Sequence, residues 1–527
     1  MLPFCLVELP PEVLKLSLLD ARFDREELRA LRLVCRLFNN LVEPTVLSTI
    51  KICVGESKVT SSMHQLEALA NGATGANAYA RHLDVRVRQY TDPSVDTSTS
   101  LGDTNTPDHQ QEEAKTLLLK AIGSMPGLRT VRFSFRAYFP GSEWAWEGII
   151  DSLTRMKNLR DLSITLKLEY PYVPQLERLA NLQKLAISCD SQTLARCIVP
   201  QAASILRKSP SLTSLTISDT NRWWVEPEEA FFLNTLLNNL PKSIPPLALS
   251  ELFLDHCSLI PTQGVLRHLM NLRSFTCTRA PNEPDDLPGK TEKDKEFTQA
   301  DILAIEGLRP NAALFWKDFD ALPLEHLSLG YVDHATLRYI AAHPRMRTIS
   351  FSDIDNSRRA LVDHLASTFY EDVLPKHVSI LENLRIQARY SSLWAFGAHN
   401  KSIISQCQNL RTLQLCWDSE ESHAQKTLYS IIDLSSTFPH LQQFSISVVL
   451  PRGYRGSKCG SSASMFRARC RRKVDDLVQK YGRVKPGKHL HEIKVYKSKF
   501  ALVKKVKRYS YHRLASEPSD ETDDDDD

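Results

Sequence analysis

The chain has 527 residues, 42 % hydrophobic and 24 % charged, with a formal net charge of +4. That balance belongs to a globular protein with core enough for more than one domain, and it excludes a largely disordered chain. Eleven cysteines form no C-x-x-C pair. An odd number scattered over so long a chain argues against a disulfide scaffold and for a reducing compartment, cytoplasmic or nuclear. Residues 1–9 lack a basic leader, and no window approaches the roughly 18 uncharged apolar residues of a spanning helix, so no membrane partner is expected. The charge is unevenly placed: residues 452–513 carry 20 Lys/Arg against 3 Asp/Glu, or +17, while residues 514–527 carry 8 acids and no base. Residues 1–451 are left at −5.

The first organised stretch is residues 9–50. Leu9, Pro10, Glu12, Val13 and Leu14 open it, and proline suits a first helical turn because its missing N–H is unpaired there anyway. Asp24 with Glu27 has the spacing of a capping box. Leu28, Leu31, Val34, Cys35, Phe38 and Leu41 then recur at steps of three and four, one stripe of a helix that Pro44 is expected to stop. About 40 residues bury too little apolar surface to stand alone, so this unit must dock on the rest of the chain or on a partner. The order and spacing of these residues, continued by Leu47 and Ile50, resemble an F-box; Ser17 departs from the pattern, standing where the family carries an aliphatic residue. The resemblance implies that Leu9, Pro10, Glu12, Val13, Leu14, Leu28, Leu31, Val34, Cys35, Phe38, Leu41 and Pro44 meet a Skp-type adaptor and, through it, a cullin.

After a strand-like alternation at Leu83, Val85 and Val87, residues 90–113 are polar and read as a flexible insertion. From Leu128 one pattern recurs eleven times, apolar-x-x-apolar-x-apolar. It runs from Leu128, Val131 and Phe133 to Leu441, Phe444 and Ile446. One copy continues as Leu249, Leu252, Leu254, Cys257 and Leu259. This is similar to the leucine-rich repeat, in which a lone copy cannot bury its leucines and neighbours stack to share a core. The spacing between copies is 22 to 52 residues, wider than the roughly 20–29 of regular repeats, so several copies carry insertions. An N-terminal F-box ahead of irregular repeats resembles the F-box/LRR proteins of fungi.

The expected fold is therefore α/β: an N-terminal helical F-box, then an irregular leucine-rich-repeat solenoid with a curved parallel sheet and outer helices. The boundaries read as F-box 1–52; linker, first irregular repeat and flexible insertion 53–127; array 128–450; basic divergent terminal repeat or cap 451–513; acidic disordered tail 514–527. The terminal part repeats the strand motif at Leu490, Ile493 and Val495, behind a helical pattern ending at Tyr481 and Gly482.

No Gly-rich phosphate loop, G-x-S-x-G or H-E-x-x-H is present, so neither a cofactor nor an enzyme activity is expected. His489 and His491 lack a third ligand, and the Cys/His spacing of a zinc-binding RING is missing. Repeat positions three and five should face the open side of the sheet. Eleven of these 22 residues are Ser or Thr and five are charged. Candidate target contacts are Arg132, Asp161, Lys184, Glu251, Phe253, His326, Asn383, Arg385 and Gln414, for an unknown protein target. A nucleic-acid surface needs a dense basic stripe that this face lacks. Trp144, Trp146, Trp223 and Trp224 lie between strand motifs, as packing residues on the helices or as exposed anchors. The basic runs at residues 467–473 and 504–508 read as an import signal, a patch for an acidic partner or nucleic acid, or a solvated face paired with Asp523 to Asp527.

The resemblance implies a non-catalytic subunit of an E3 ubiquitin ligase, recognising a target through the repeats. Two other readings stay open: an F-box scaffold outside ligases, and a nucleic-acid or chromatin-associated protein acting through the basic C-terminal part.

Overall fold

The recurring apolar triplet explains the architecture. In a strand alternate side chains share a face, so positions four and six of each copy must point the same way. In the structure all eleven triplets are buried; of their 33 side chains, the most accessible, Ile217, is 9 % exposed. The structure is a computed structural model and describes residues 10, 12–14, 25–54, 59–88, 106–137, 144–168, 175–189, 192–219, 232–255, 257, 259–278, 310–354, 359–420, 422–450, 461–481, 492–495, 498–505 and 508–514. The chain divides into two compact units, Met1–Cys257 with Arg267–Leu269, and Ser258–Leu266 with Met270–Asp527.

The first unit holds α1 (Arg25–Arg32), α2 (Arg36–Val46), α3 (Val59–Ala70), α4 (Thr106–Gly123), α5 (Trp144–Thr154), α6 (Gln192–Lys208) and α7 (Phe232–Asn238). Its strands are β1 (Thr49–Val54), β2 (His82–Arg88), β3 (Thr130–Ala137), β4 (Asp161–Leu168), β5 (Lys184–Cys189), β6 (Ser214–Asp219) and β7 (Glu251–Asp255). They pair in sequence order and all in parallel. The helices fill the crossovers that parallel pairing requires. α5 shows how they pack: Trp146, Ile149, Ile150 and Leu153 are all buried, at helical steps of three and four. The Trp146 ring stands edge-on to Phe133 at 4.8 Å and Phe135 at 5.4 Å. Trp146 is therefore a packing residue. Trp223 and Trp224 lie outside the described residues, as does the side chain of Trp144.

The second unit follows the same plan with β8 (Ser274–Cys277), β9 (His326–Leu329), β10 (Thr348–Ile354), β11 (Asn383–Ala388), β12 (Thr412–Asp418), β13 (Gln443–Val449) and β14 (Glu492–Val495), parallel and in order. Its helices include α8 (Pro310–Phe319), α9 (His334–Ala342), α10 (Arg359–Thr368), α11 (Ala398–Ser405), α12 (Ala424–Ser435) and α13 (Ser461–Lys480). Two aromatic clusters lie between helices and sheet: Phe275 with Phe315 and Phe319, and Phe351 with Phe369 and Trp394. The fold is an α/β repeat solenoid.

Register is set at one repeating backbone joint. The carbonyl of Arg129 accepts from the N–H groups of both Arg160 and Asp161; that of Arg160 accepts from Gln183 and Lys184, and that of Gln183 from Thr213 and Ser214. In the second unit Glu325 serves Arg347 and Thr348, Arg347 serves Glu382 and Asn383, and Glu382 serves Arg411 and Thr412. Each carbonyl thus uses both lone pairs to admit the next strand. The insertions between copies do not disturb the register because the strands so joined all enter through the same contact.

Four boundaries differ from those expected. The sheet starts at Thr49, so the 52/53 boundary cuts through β1, and β1 and β2 already belong to the parallel array. The insertion at residues 90–113 ends in helix, because α4 begins at Thr106; residues 89–105 lie outside the described residues. The stripe at residues 24–44 is two helices rather than one, and Pro44 lies inside α2, which runs on to Val46. Proline removes only its own donor, and two residues from the helix end little is lost. Beyond β14, whose Ile493 and Val495 are buried as the strand motif requires, the chain adds an antiparallel hairpin, β15 (Ser498–Lys505) and β16 (Arg508–Arg513). Nothing in the repeat pattern signals that reversal.

Candidate functional site

The N-terminal hairpin is built by a break. Leu33 and Val34 form a turn, each N–H bonding three residues back to Ala30 and Leu31. Cys35 is extended (φ −161°, ψ 167°) and serves as the N-cap of α2. Arg32 then ties the two helices: its Nε donates to Asn39 Oδ1 at 3.1 Å and its Nη2 lies 3.2 Å from Glu43 Oε1. α2 turns Phe38, Val42 and Val46 inward, at steps of four. Gly75 sits against this helix, where an added Cβ would lie 2.9 Å from Glu43 Oε1.

The residues expected to meet an adaptor separate into three groups. Phe38 (9 % exposed) and Leu14 (0 %) are buried in the chain's own core. Leu28, Leu31, Cys35, Leu41 and Pro44 are half-buried. Pro10, Glu12, Val13 and Val34 are exposed, and Leu9 lies outside the described residues. The break adds Leu33, which a single helical stripe passes over. At 88 % exposure it is the most accessible large apolar side chain among the described residues, and Val34 beside it is at 65 %. The signal available was the run Leu31, Leu33, Val34: three apolar residues in four cannot all lie on one stripe.

The open face of each unit carries the other candidates. In the first unit, register aligns Thr130, Asp161, Lys184, Ser214 and Glu251 in one row, and Arg132, Ser163, Ala186, Thr216 and Phe253 in the next. Asp161 accepts from Thr130 Oγ1 at 3.3 Å. Arg132, Lys184 and Glu251 are exposed, as is Phe253 at 38 %. In the second unit Asn383 Nδ2 donates to Thr348 Oγ1 at 3.0 Å, and Thr348 lies 2.7 Å from His326 Nδ1. With Asn383 donating to it, the Thr348 hydroxyl is free to direct its own proton toward the ring nitrogen. Gln414 Nε2 donates to Gln387 Oε1 at 3.4 Å, and Arg385 is exposed. Ser350, also assigned to the open side, is buried.

Beside these rows runs a ladder that no sequence periodicity signals. Arg273, Glu325, Arg347, Glu382 and Arg411 occupy position two of successive repeats and alternate in sign. Their contacts are 2.5, 3.7, 2.8 and 3.7 Å. These pairs are solvent-exposed, so each is worth a fraction of a kcal/mol, and their effect is to neutralise this row.

No group of three or more His, Cys, Asp or Glu among the described residues could hold a metal. Burial pushes the Cys416 thiol up to about 11, partly opposed by hydrogen bonds with Ser447 and the Ala388 backbone; such a thiol stays protonated and unreactive. His489 and His491 fall outside the described residues. Among those residues no helix is long and apolar enough to cross a membrane.

No protein-family model matches the chain, and no curated protein matches it. Among solved structures it is similar to a chain of the crystal structure of the Rad7 and Elc1 complex in yeast, at 13 % identity and a TM-score of 0.35, over 85 % of this chain and 95 % of that one. It is also similar to an LRR protein of Leptospira interrogans, at 12 % identity and a TM-score of 0.20, over 67 % of this chain and 90 % of that one. The decisive observation is internal: eleven apolar triplets, all buried, stand in register on parallel strands within each unit. The repeats have the residue pattern and strand packing of the leucine-rich type.

Proposed function

We propose that this chain is the target-recognition subunit of a Skp–cullin–F-box type ubiquitin ligase, and that it has no catalytic activity of its own. The observation that carries the reading is the pair Leu33 and Val34. They stand in solvent within the stretch whose residue order resembles an F-box, while the chain immediately after it, from Thr49, is committed to the sheet. Adjacent exposed apolar side chains of this size mark a protein contact. An adaptor covering both would gain about 3–5 kcal/mol of apolar burial. The open faces of the repeats, polar and without a dense basic stripe, would hold a protein target. The mechanism is proximity: a target held near the charged enzyme presents its lysines at high effective concentration. The compartment is the cytoplasm, the nucleus or both.

Replacing Leu33→Ser together with Val34→Ser tests the reading. Both side chains are exposed, so the thermal unfolding midpoint should not move. Co-purification of a Skp-type adaptor should fall at least about tenfold, and cullin should be lost with it. Undiminished adaptor in the double mutant would sink the proposal. Adaptor without cullin in the wild-type complex would instead favour a scaffold outside ligases.

A further inference from the structure

The second unit keeps its surface charges in two different states. At repeat position two, arginines and glutamates alternate and pair with one another. At the far end of the open face, Lys494 on β14 lies directly opposite Lys499 on β15. Both are exposed, and neither makes an ion pair among the described residues. Glu492 shares their face and pairs with neither. Like charges directly opposite one another destabilise a sheet. On the inner face the same hairpin is balanced, with Arg513 Nη1 2.6 Å from Asp475 Oδ2 on α13. Among the described residues the outer face thus sets one unpaired acid, Glu492, against two lysines, and neither lysine has the ion-pair partner that Arg513 has on the inner face.

We propose that the acidic segment of residues 515–527 docks on the outer face of this hairpin and supplies that counter-charge to Lys494 and Lys499. The first argument is charge: eight acids and no base lie in residues 514–527. The second is where the segment starts. The Leu514 N–H donates to the Lys499 carbonyl at 2.9 Å, so the segment departs from the backbone of Lys499 itself. The third is reach. Thirteen residues span up to about 43 Å when extended, whereas neighbouring strands are about 4.8 Å apart. Tethered at so short a distance, the segment has an effective concentration of order millimolar at these lysines.

The register shows what a docked segment meets next. Lys499, Lys494, Ser445, Gln414 and Arg385 stand on five successive strands in one continuous row. Arg385 is exposed, makes no ion pair among the described residues, and lies about 19 Å from Lys499 at that strand spacing. The docking itself does not depend on the adaptor reading.

The test is zero-length carbodiimide cross-linking of the full chain, with the products mapped by mass spectrometry. Carboxylates of residues 515–527 should join Lys494 and Lys499 at least about tenfold more often than the exposed Lys317 and Lys401. The excess should disappear at about 1 M salt, where the screening length falls to about 3 Å. As a second readout, Lys494→Glu with Lys499→Glu should raise the rate of proteolytic cleavage within residues 515–527 at least threefold, both positions being exposed and outside the core. Cross-links spread evenly over exposed lysines, or concentrated at Lys504, Lys505 or Lys507, would overturn the proposal, as would an unchanged cleavage rate. Adaptor co-purification should be the same in these variants, which separates this failure from a failure of the proposed function.

Discussion

At the scale of single residues, His377 illustrates how the repeat core handles a polar group. Its ring is fully buried, Nε2 lies 3.1 Å from the Ile340 carbonyl, and Nδ1 has no hydrogen-bond partner. Burial pulls its pKa below 6.5; the Ile340 carbonyl opposes this, while Lys376 and His343 reinforce it. The ring is therefore neutral when folded, at a pH where the unfolded chain takes up a proton. Above pH 6.5 neither state is protonated and there is no penalty. As the pH falls below 6.5 the unfolded state binds more protons and stability drops, until the folded-state pKa is passed. The unfolding midpoint in denaturant should decline from pH 7 to pH 5, and His377→Gln should flatten that decline. An equal slope in the variant would show that His377 is not the group responsible. Sequence alone marks this residue only as a histidine after Lys376; its burial comes from packing under Ile340 of the preceding repeat.

At the scale of elements, the N-terminal hairpin shows local pattern and tertiary packing in competition. Steps of three and four from Leu28 to Leu41 read as one helix. The chain divides that stripe at Leu33 to Cys35, where Val and Cys are weak helix formers, and α2 buries Phe38, Val42 and Val46 on its own face. The division gives the two faces separable roles. Phe38→Ala opens a cavity beneath α2, where Phe38 is buried, and should cost about 3–5 kcal/mol, lowering the thermal midpoint. The exposed pair Leu33 and Val34 should show the opposite behaviour, loss of partner without loss of stability. If Phe38→Ala leaves the melting transition in place, α2 is not held by this contact. The existence of helices at residues 25–46 was legible in the sequence. Which side chains they spend internally was not, because that depends on what packs against them, such as Gly75 beside Glu43.

At the scale of the whole molecule, the array needs an end. A parallel repeat sheet leaves its last strand with a free row of N–H and C=O groups, an invitation to aggregate. α13 and the β14–β16 strands cover β13 and end the parallel series in an antiparallel hairpin. The cap buries Phe466, Cys470, Val474, Val478, Phe500 and Tyr511, and Tyr481 joins it to the last repeat through a hydrogen bond from its Oη to Asp433 Oδ1. Removing residues 461–527 should expose β13, lower the unfolding midpoint and shift the protein toward aggregates in size-exclusion chromatography. A monodisperse truncated chain of unchanged stability would show that the cap is dispensable.

The repeats are readable from the residues alone. Their apolar triplets recur at a fixed internal spacing and bury completely, because a strand period of two leaves no choice about which residues share a face. The polar character of the open faces is equally local, and so is the contrast between the basic residues 452–513 and the acidic residues 514–527. Four features instead come from folding: where the array starts, where the first helical stripe breaks, how the C-terminal edge reverses, and which cations find partners. Each of those depends on residues that only the fold brings together: Arg273 with Glu325, Arg513 with Asp475, and Lys494 facing Lys499 across a hairpin that no periodicity announces.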